Sequence, residues 1–230
     1  MAMRVVRITV QWLFILCLPL LLLTASVTWA ANSGWLYGYG FDKYDVGETT
    51  GLDRSELDNA ADGLISYFNS GEEYIDITVI KDGEPFELFN EREIEHLKDV
   101  KGLFHLVYRL LLGTLAYCMA YVGAALFWWK DMRRLARGLL YGGVLTLVLM
   151  AVIGIATIID FNWLFHNFHL ISFANDLWML DPSTDYLIMM FPRGFWYDAA
   201  LFCALTTAAG ALVLGGVGWW RLKKADTQYS

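Results

Sequence analysis

The stretch LFHLVYRLLLGTLAYCMAYVGAALFWWKDMRRLAR, Leu103 to Arg137, decides the fold. Its first part, Leu103–Trp129, exceeds the roughly 20 apolar residues that cross a bilayer as a helix. It then gives way at once to a basic patch: Lys130, Arg133, Arg134 and Arg137. Three more runs of similar length flank it, at Ile8–Trp29, Gly138–Ile159 and Ala199–Trp220. A chain of 230 residues with 57% hydrophobic content could be one soluble domain or a small membrane protein. The gathering of apolar residues into four long runs decides for the membrane.

The net charge of −7 hides an asymmetry. Arg4 and Arg7 precede the first run, the basic patch joins the second to the third, and Arg221, Lys223 and Lys224 follow the fourth. By the positive-inside rule these segments are cytoplasmic, so both termini lie inside. The expected order is a first span at 1–30, an outer cap at 31–102 and a second span at 103–129. A cytoplasmic loop at 130–137 leads to a third span at 138–160. An outer interfacial segment at 161–198, a fourth span at 199–220 and a cytoplasmic tail at 221–230 complete it. From Ala30 to Gly102 there are 17 acidic and 6 basic residues, which suits a solvated outer domain and gives no case for nucleic acid. Thr28-Trp29-Ala30 loosely resembles a cleavage site, but the long first run reads as an uncleaved anchor. Cys17, Cys118 and Cys203 all fall in apolar runs and offer no disulfide framework.

The outer segments carry their own patterns. WLYGYGFDKYDVGETTG, Trp35 to Gly51, is rich in Gly and Tyr and reads as irregular. Leu57, Ala61, Leu64, Ile65 and Phe68 recur at helical spacing behind Ser55 as N-cap. EYIDITVI and EPFELF flank Lys81-Asp82-Gly83 and read as a hairpin. One hairpin and one helix bury little, so the cap must rest on the spans or on the second outer segment. The fold class is therefore mainly α: a polytopic membrane protein of four transmembrane helices with a small extracytoplasmic α+β cap.

NEREIEHLKDVK, Asn90 to Lys101, opens a helix that runs unbroken into the second span, with Asn90 as cap and Glu93 in the capping-box position. His96 and Asp99 share a face, joined by Glu93 from the turn before. Arg109 lies further on, inside the apolar run, either snorkelling to the interface or placed for function. FNWLFHNFHLISFANDLWMLDPSTDYLIMMFP, Phe161 to Pro192, reads as an interfacial helix. It has an apolar face (Phe161, Leu164, Phe165, Phe168, Ile171) and a second face with His166, His169, Phe173 and Asp176. Asp181-Pro182 is its expected break. His96 and His169 are thus set at one depth, beside lipid. Imidazole takes and returns a proton near neutrality. No GxSxG elbow is present and no cysteine lies outside the spans, so a protein nucleophile is lacking. Glu93-x-x-His96 with His166-x-x-His169 also has the spacing of a bundle metal site.

The two motifs, in this order and around this helix pair, resemble the lipoprotein intramolecular transacylase family, Lit. The resemblance implies a site in the outer leaflet of the bacterial cytoplasmic membrane, acting on diacylated lipoproteins. The sn-2 acyl chain of the diacylglyceryl group would move to the α-amino group of the N-terminal cysteine. It implies His169 as general base and His96, oriented by Asp99, as partner acid or second base, with the roles open to exchange. Asn175, Arg109 and Arg193 become candidate oxyanion donors, and Trp178 and Glu93 substrate-binding residues. His166 and His105 fit the motif less well and read as structural. The substrate carries its own nucleophile, so the chemistry calls for no cofactor and no metal.

Overall fold

The computed structural model describes residues 2–227. Among these, four helices are long and apolar enough to cross a membrane, within Arg4–Ala31, Glu91–Trp128, Met132–Ile159 and Arg193–Ala225. Met1 and the last three residues of the expected tail, 228–230, lie outside the described residues. The chain divides into two compact units. The first comprises the described parts of Met1–Val27, Val107–Ala156 and Phe202–Ser230; the second is Thr28–Leu106 with Thr157–Leu201.

The first unit holds the apolar parts of four helices: α1 (Ala2–Ala31), α5 (Glu91–Gly123), α6 (Met132–Ile159) and α9 (Arg193–Thr227). Helix α5 ends in a π-helical turn, Ala124–Trp128, before the basic patch. Phe14 stacks on Tyr121 with ring centroids 4.3 Å apart, among Leu18, Cys118, Ala125 and Leu135. With no hydrophobic effect to drive helices together in lipid, close backbone approach and polar pairs do the work. Thr207 donates to Ser26 at 3.0 Å, both buried, and Tyr117 donates to the Val10 carbonyl at 2.6 Å. Helices α6 and α9 cross backbone to backbone. A Cβ on Gly218 would stand 2.5 Å from the Ala136 carbonyl oxygen, and one on Gly143 would stand 2.8 Å from that of Ala211. Gly218→Ala should therefore destabilise by about 1–3 kcal/mol, the cost of overpacking. Thermal unfolding in detergent micelles checks this against Gly216→Ala, where a Cβ meets nothing within 4 Å.

The second unit is built from α2 (Gly34–Lys43), α3 (Val46–Thr50), α4 (Arg54–Asn69), a hairpin of β1 (Thr78–Lys81) and β2 (Glu84–Glu87), the polar start of α5, α7 (Phe161–Ser172), α8 (Tyr186–Met190) and the start of α9. The Gly- and Tyr-rich stretch expected to be irregular is helical, as α2 and α3. Its glycines are contact points: a Cβ on Gly40 would overlap the Phe195 ring. Leu36, Tyr37 and Phe41 are buried, with Tyr37 and Phe41 against Phe191. Helix α4 starts two residues earlier than expected, behind Asp53 rather than Ser55. Its Leu57, Ala60, Ala61, Leu64, Tyr67 and Phe68 form one buried face. The hairpin is present but shorter than the sequence suggests, pairing Thr78 with Glu87 through Lys81 with Glu84. Asp82 and Gly83 both have positive φ, 53° and 85°, as a two-residue type I′ turn requires. The expected cap rests on the segment at 161–198: Lys81 and Tyr186 are hydrogen-bonded, and Asp198 accepts from Lys43 at 2.7 Å and Tyr44 at 2.8 Å.

Candidate functional site

The site begins at the N-terminus of α5. The capping box is reciprocal: Asn90 Oδ1 accepts from the Glu93 backbone N–H at 3.1 Å, and Glu93 Oε2 accepts from that of Asn90 at 2.8 Å. The other Glu93 oxygen accepts from the Leu187 backbone N–H at 2.7 Å, at the start of α8. Asn90 Nδ2 donates to Asp185 Oδ1 at 3.0 Å, just before it. Glu93 is 1% exposed, and burial pushes its carboxyl pKa up. With both oxygens held by backbone donors, it ties two helix ends together.

One turn further along, still ahead of the apolar stretch that opens at Leu103, α5 presents His96 to α7. The His96 and His169 rings lie with centroids 6.4 Å apart and planes tilted by 32°. Phe173 packs edge-on to His96 at 5.1 Å and Phe165 lies over His169 at 4.3 Å. Both imidazoles are buried, 6% and 8% exposed. His169 Nδ1 is 2.7 Å from the Phe165 carbonyl oxygen. A carbonyl only accepts, so Nδ1 carries the proton and Nε2 of the neutral ring carries the lone pair. That is the tautomer of a general base acting through Nε2. His96 Nδ1 is buried with no hydrogen-bond partner.

Burial, then the neighbouring His169, pushes His96 down to about 4, against a pull upward from Asp99. Burial also lowers His169, opposed by its bond to Phe165. Both rings are therefore neutral at neutral pH, and a proton acceptor is ready. Any rate that depends on these bases should fall as pH drops through the lowered pKa values, so its acid limb should lie below the usual histidine value of about 6.5. A pH–rate profile checks this. Stability has the same sign. A histidine whose pKa is lower folded than unfolded weakens the fold as pH falls below about 6.5, and His96 alone contributes about 3 kcal/mol of loss by pH 4.

The remaining expected residues are placed as follows. Asp99 Oδ2 accepts from Asn175 Nδ2 at 2.8 Å. The carboxylate expected to orient His96 by a hydrogen bond thus fixes Asn175 and acts on His96 only through its charge. Asn175 Oδ1 accepts from the Leu177 N–H at 3.1 Å. Trp178 lies against His169 at 4.8 Å between ring centroids and against His166 at 5.3 Å. Arg193 Nη1 donates to Asn162 Oδ1 at 3.3 Å. Arg109 belongs to the first unit, on the apolar continuation of α5. The structure gathers His96, His169, Asp99, Asn175 and Trp178. Among the described residues no three His, Cys, Asp or Glu side chains group as a metal site.

Sequence reasoning missed Arg92. Its Nη2 donates to the Asp176 carbonyl at 2.6 Å and its Nε to that of Leu177 at 3.3 Å. This clamp corrects one expectation. Helix α7 ends at Ser172, with Phe173 extended, rather than running to Asp181-Pro182. The carbonyls that would continue it are taken by Arg92, and Asn175 bonds its own backbone two residues on, a turn that competes with helix. An arginine beside a capping box was the only available signal.

A polytopic helical protein with two buried, neutral histidines on facing helices is the class that fold and site define. The chain belongs to the lipoprotein intramolecular transacylase family, Lit, whose profile matches residues 12–196. It is similar to the membrane integral lipoprotein intramolecular transacylase Lit from Bacillus cereus in its in meso structure. There the identity is 20%, the TM-score 0.82 and the coverage 96% of this chain and 98% of that one. A variant of that protein with one histidine replaced by arginine matches at TM-score 0.77 and 19% identity, over 97% of this chain and 95% of that one. An uncharacterized protein from Aquifex aeolicus is 33% identical over 131 residues, 55% of this chain and 55% of its own length. The match thus spans about half of that curated relative. The protein is a multi-pass membrane protein of the same fold as the Bacillus cereus structures.

Proposed function

We propose that the protein moves the sn-2 acyl chain of a diacylglyceryl-modified N-terminal cysteine onto that cysteine's α-amino group, giving a lyso-form lipoprotein. The observation that carries this is the His96–His169 pair, held neutral by burial and facing each other from α5 and α7. None of the cysteines belongs to the unit that holds the pair, and no serine is hydrogen-bonded to either histidine among the described residues. A substrate that supplies its own amine fits such a site. His169 Nε2 takes the proton as the amine attacks the ester carbon. The departing sn-2 oxygen then receives a proton from His96 or from the same ring. Holding amine against ester in one ring-closing geometry supplies much of the acceleration, up to about 7–11 kcal/mol.

The setting is the outer leaflet of a bacterial cytoplasmic membrane. The basic residues at Arg4, Arg7, Lys130–Arg137 and Arg221–Lys224 support a cytoplasmic side for both termini. Helix α7 buries His169 while Trp163, Phe168, Leu170 and Ile171 are exposed, Ile171 to 86%. Such a face suits acyl chains, so the partners are diacylated lipoproteins and membrane lipid. Purified protein given a diacylated lipopeptide should consume the reactive α-amino group and release no fatty acid. Fatty acid release with the amine intact would make it a lipid hydrolase.

A further inference from the structure

The end of α9, in the first unit, carries an open groove of about 310 Å³ lined by Trp219, Trp220, Lys223 and Lys224. Residues four apart are neighbours on a helix surface, so Lys223 stands over Trp219 and Lys224 over Trp220. Each ammonium lies 5.4 Å from its ring centroid, and the Arg221 guanidinium lies 5.2 Å from that of Trp220. A ring face attracts a cation but leaves its charge uncompensated. Arg221 and Lys224 meet no carboxylate among the described residues. Arg133, in the first turn of α6, adds a further charge, its Nη2 donating to the Ala225 carbonyl at 3.3 Å. Toward the middle of α9 the same side is apolar and uncovered. Val213, Val217, Trp220 and Lys224 follow one another at three- and four-residue spacing, and all are exposed. Gly216 leaves a notch beside them, where a Cβ would meet nothing within 4 Å.

We infer that this groove binds the headgroup phosphate of an anionic glycerophospholipid, with an acyl chain laid along Val213, Gly216 and Val217. Apolar stripe, aromatic pair and cations follow one another in the order of such a lipid's own parts: chain, glycerol ester region, phosphate. Tryptophan rings favour that middle depth. A solvated run of charge would have neither a groove nor an apolar stripe leading into it. Basic clusters at the end of a membrane helix attract anionic lipid. A choline headgroup is disfavoured, because the ring faces that would receive it already hold cations. A free phosphate would engage the cations and leave the stripe uncovered. The site requires only that α9 spans a bilayer, whether or not acyl transfer is the chemistry of the second unit.

The test gives the purified full chain, in neutral detergent micelles, dioleoyl phosphatidylglycerol or dioleoyl phosphatidylcholine and counts retained lipid by native mass spectrometry. Wild-type protein should retain the anionic lipid in preference. A lysine beside anionic lipid contributes about fivefold in affinity, so Lys223→Gln with Lys224→Gln should weaken phosphatidylglycerol binding by about 30-fold. Gly216→Leu fills the notch without touching a charge and should also weaken it. Arg7→Gln with Lys130→Gln removes the same charge around Trp129, where Arg7 lies 5.6 Å from the ring centroid, and should leave binding unchanged. The substituted positions at 216, 223 and 224 are exposed, so these variants should unfold at the wild-type temperature. Equal retention of the two lipids by wild-type protein overturns the inference. So does an equal loss in the two double variants, since the attraction would then be diffuse charge. Displacement of the lipid by an equal concentration of glycerol 3-phosphate also overturns it, since the groove would then hold a phosphate and no chain.

Discussion

His169→Ala should slow acyl transfer by about 10²–10⁴-fold, the range that a positioned proton-transfer group supplies. The expectation rests on one hydrogen bond. Because Nδ1 is held by the Phe165 carbonyl at 2.7 Å, the ring is presented in one tautomer and one orientation. Asparagine and glutamine carry no comparable base, so His169→Gln should lose nearly as much despite similar volume. His96→Ala should fall in the same range. If the two imidazoles act as one relay, the double variant should be little worse than the worse single, since residues that act as a unit are far from additive. Losses that multiply would instead assign the rings to separate steps. Burial makes part of any effect structural, so each rate must be set beside the variant's unfolding temperature. Initial rates of N-acyl product formation in micelles supply the numbers.

Glu93→Ala should be the most destabilising single substitution in the second unit, by about 3–5 kcal/mol. Removing one partner of a buried charged hydrogen-bond set leaves the other groups desolvated and unpaired. Here two backbone donors, those of Asn90 and Leu187, lose their acceptor at once, and the α5 capping box goes with them. Glu93→Gln keeps the shape and one acceptor oxygen but turns an amide toward a backbone N–H. It should cost less than alanine and more than a surface change. The consequence for function is indirect. The same turn fixes the angle at which α5 presents His96, so transfer should fall with the loss of order. Chemical denaturation followed by circular dichroism gives the first number, and acyl transfer well below the transition gives the second.

The residues explain what could be read in advance. The spans were legible because apolar length and flanking charge are properties of contiguous sequence. So was the capping box, because its signal lies within four residues, Asn90 to Glu93. The helicity of Gly34–Lys43 was not, because it depends on Phe195 packing where Gly40 lacks a side chain, a contact more than a hundred residues away. The end of α7 was hidden for the same reason. Arg92 takes the carbonyls of Asp176 and Leu177, and nothing in the local pattern announces it. The role of Glu93 was half legible. Its bond to Asn90 follows from spacing, while its bond to the Leu187 N–H does not. The same holds for Asp99, whose sequence distance from His96 suggested a carboxylate–imidazole bond that Asn175 takes instead. That His96 and His169 meet was inferred from their common depth and from resemblance, and the structure brings their rings to 6.4 Å.

The most direct test of the central claim is a fragment spectrum. Intramolecular transfer leaves the substrate's intact mass unchanged, so only fragmentation separates an ester-linked from an amide-linked chain. Purified protein and His169→Ala would each be incubated with a diacylated lipopeptide and the N-terminal fragments recorded. The account predicts an acyl group on the cysteine nitrogen with the wild-type protein, and at most trace amounts with the variant. An unmodified cysteine nitrogen after incubation with well-folded wild-type protein, or equal N-acylation by His169→Ala, would contradict it.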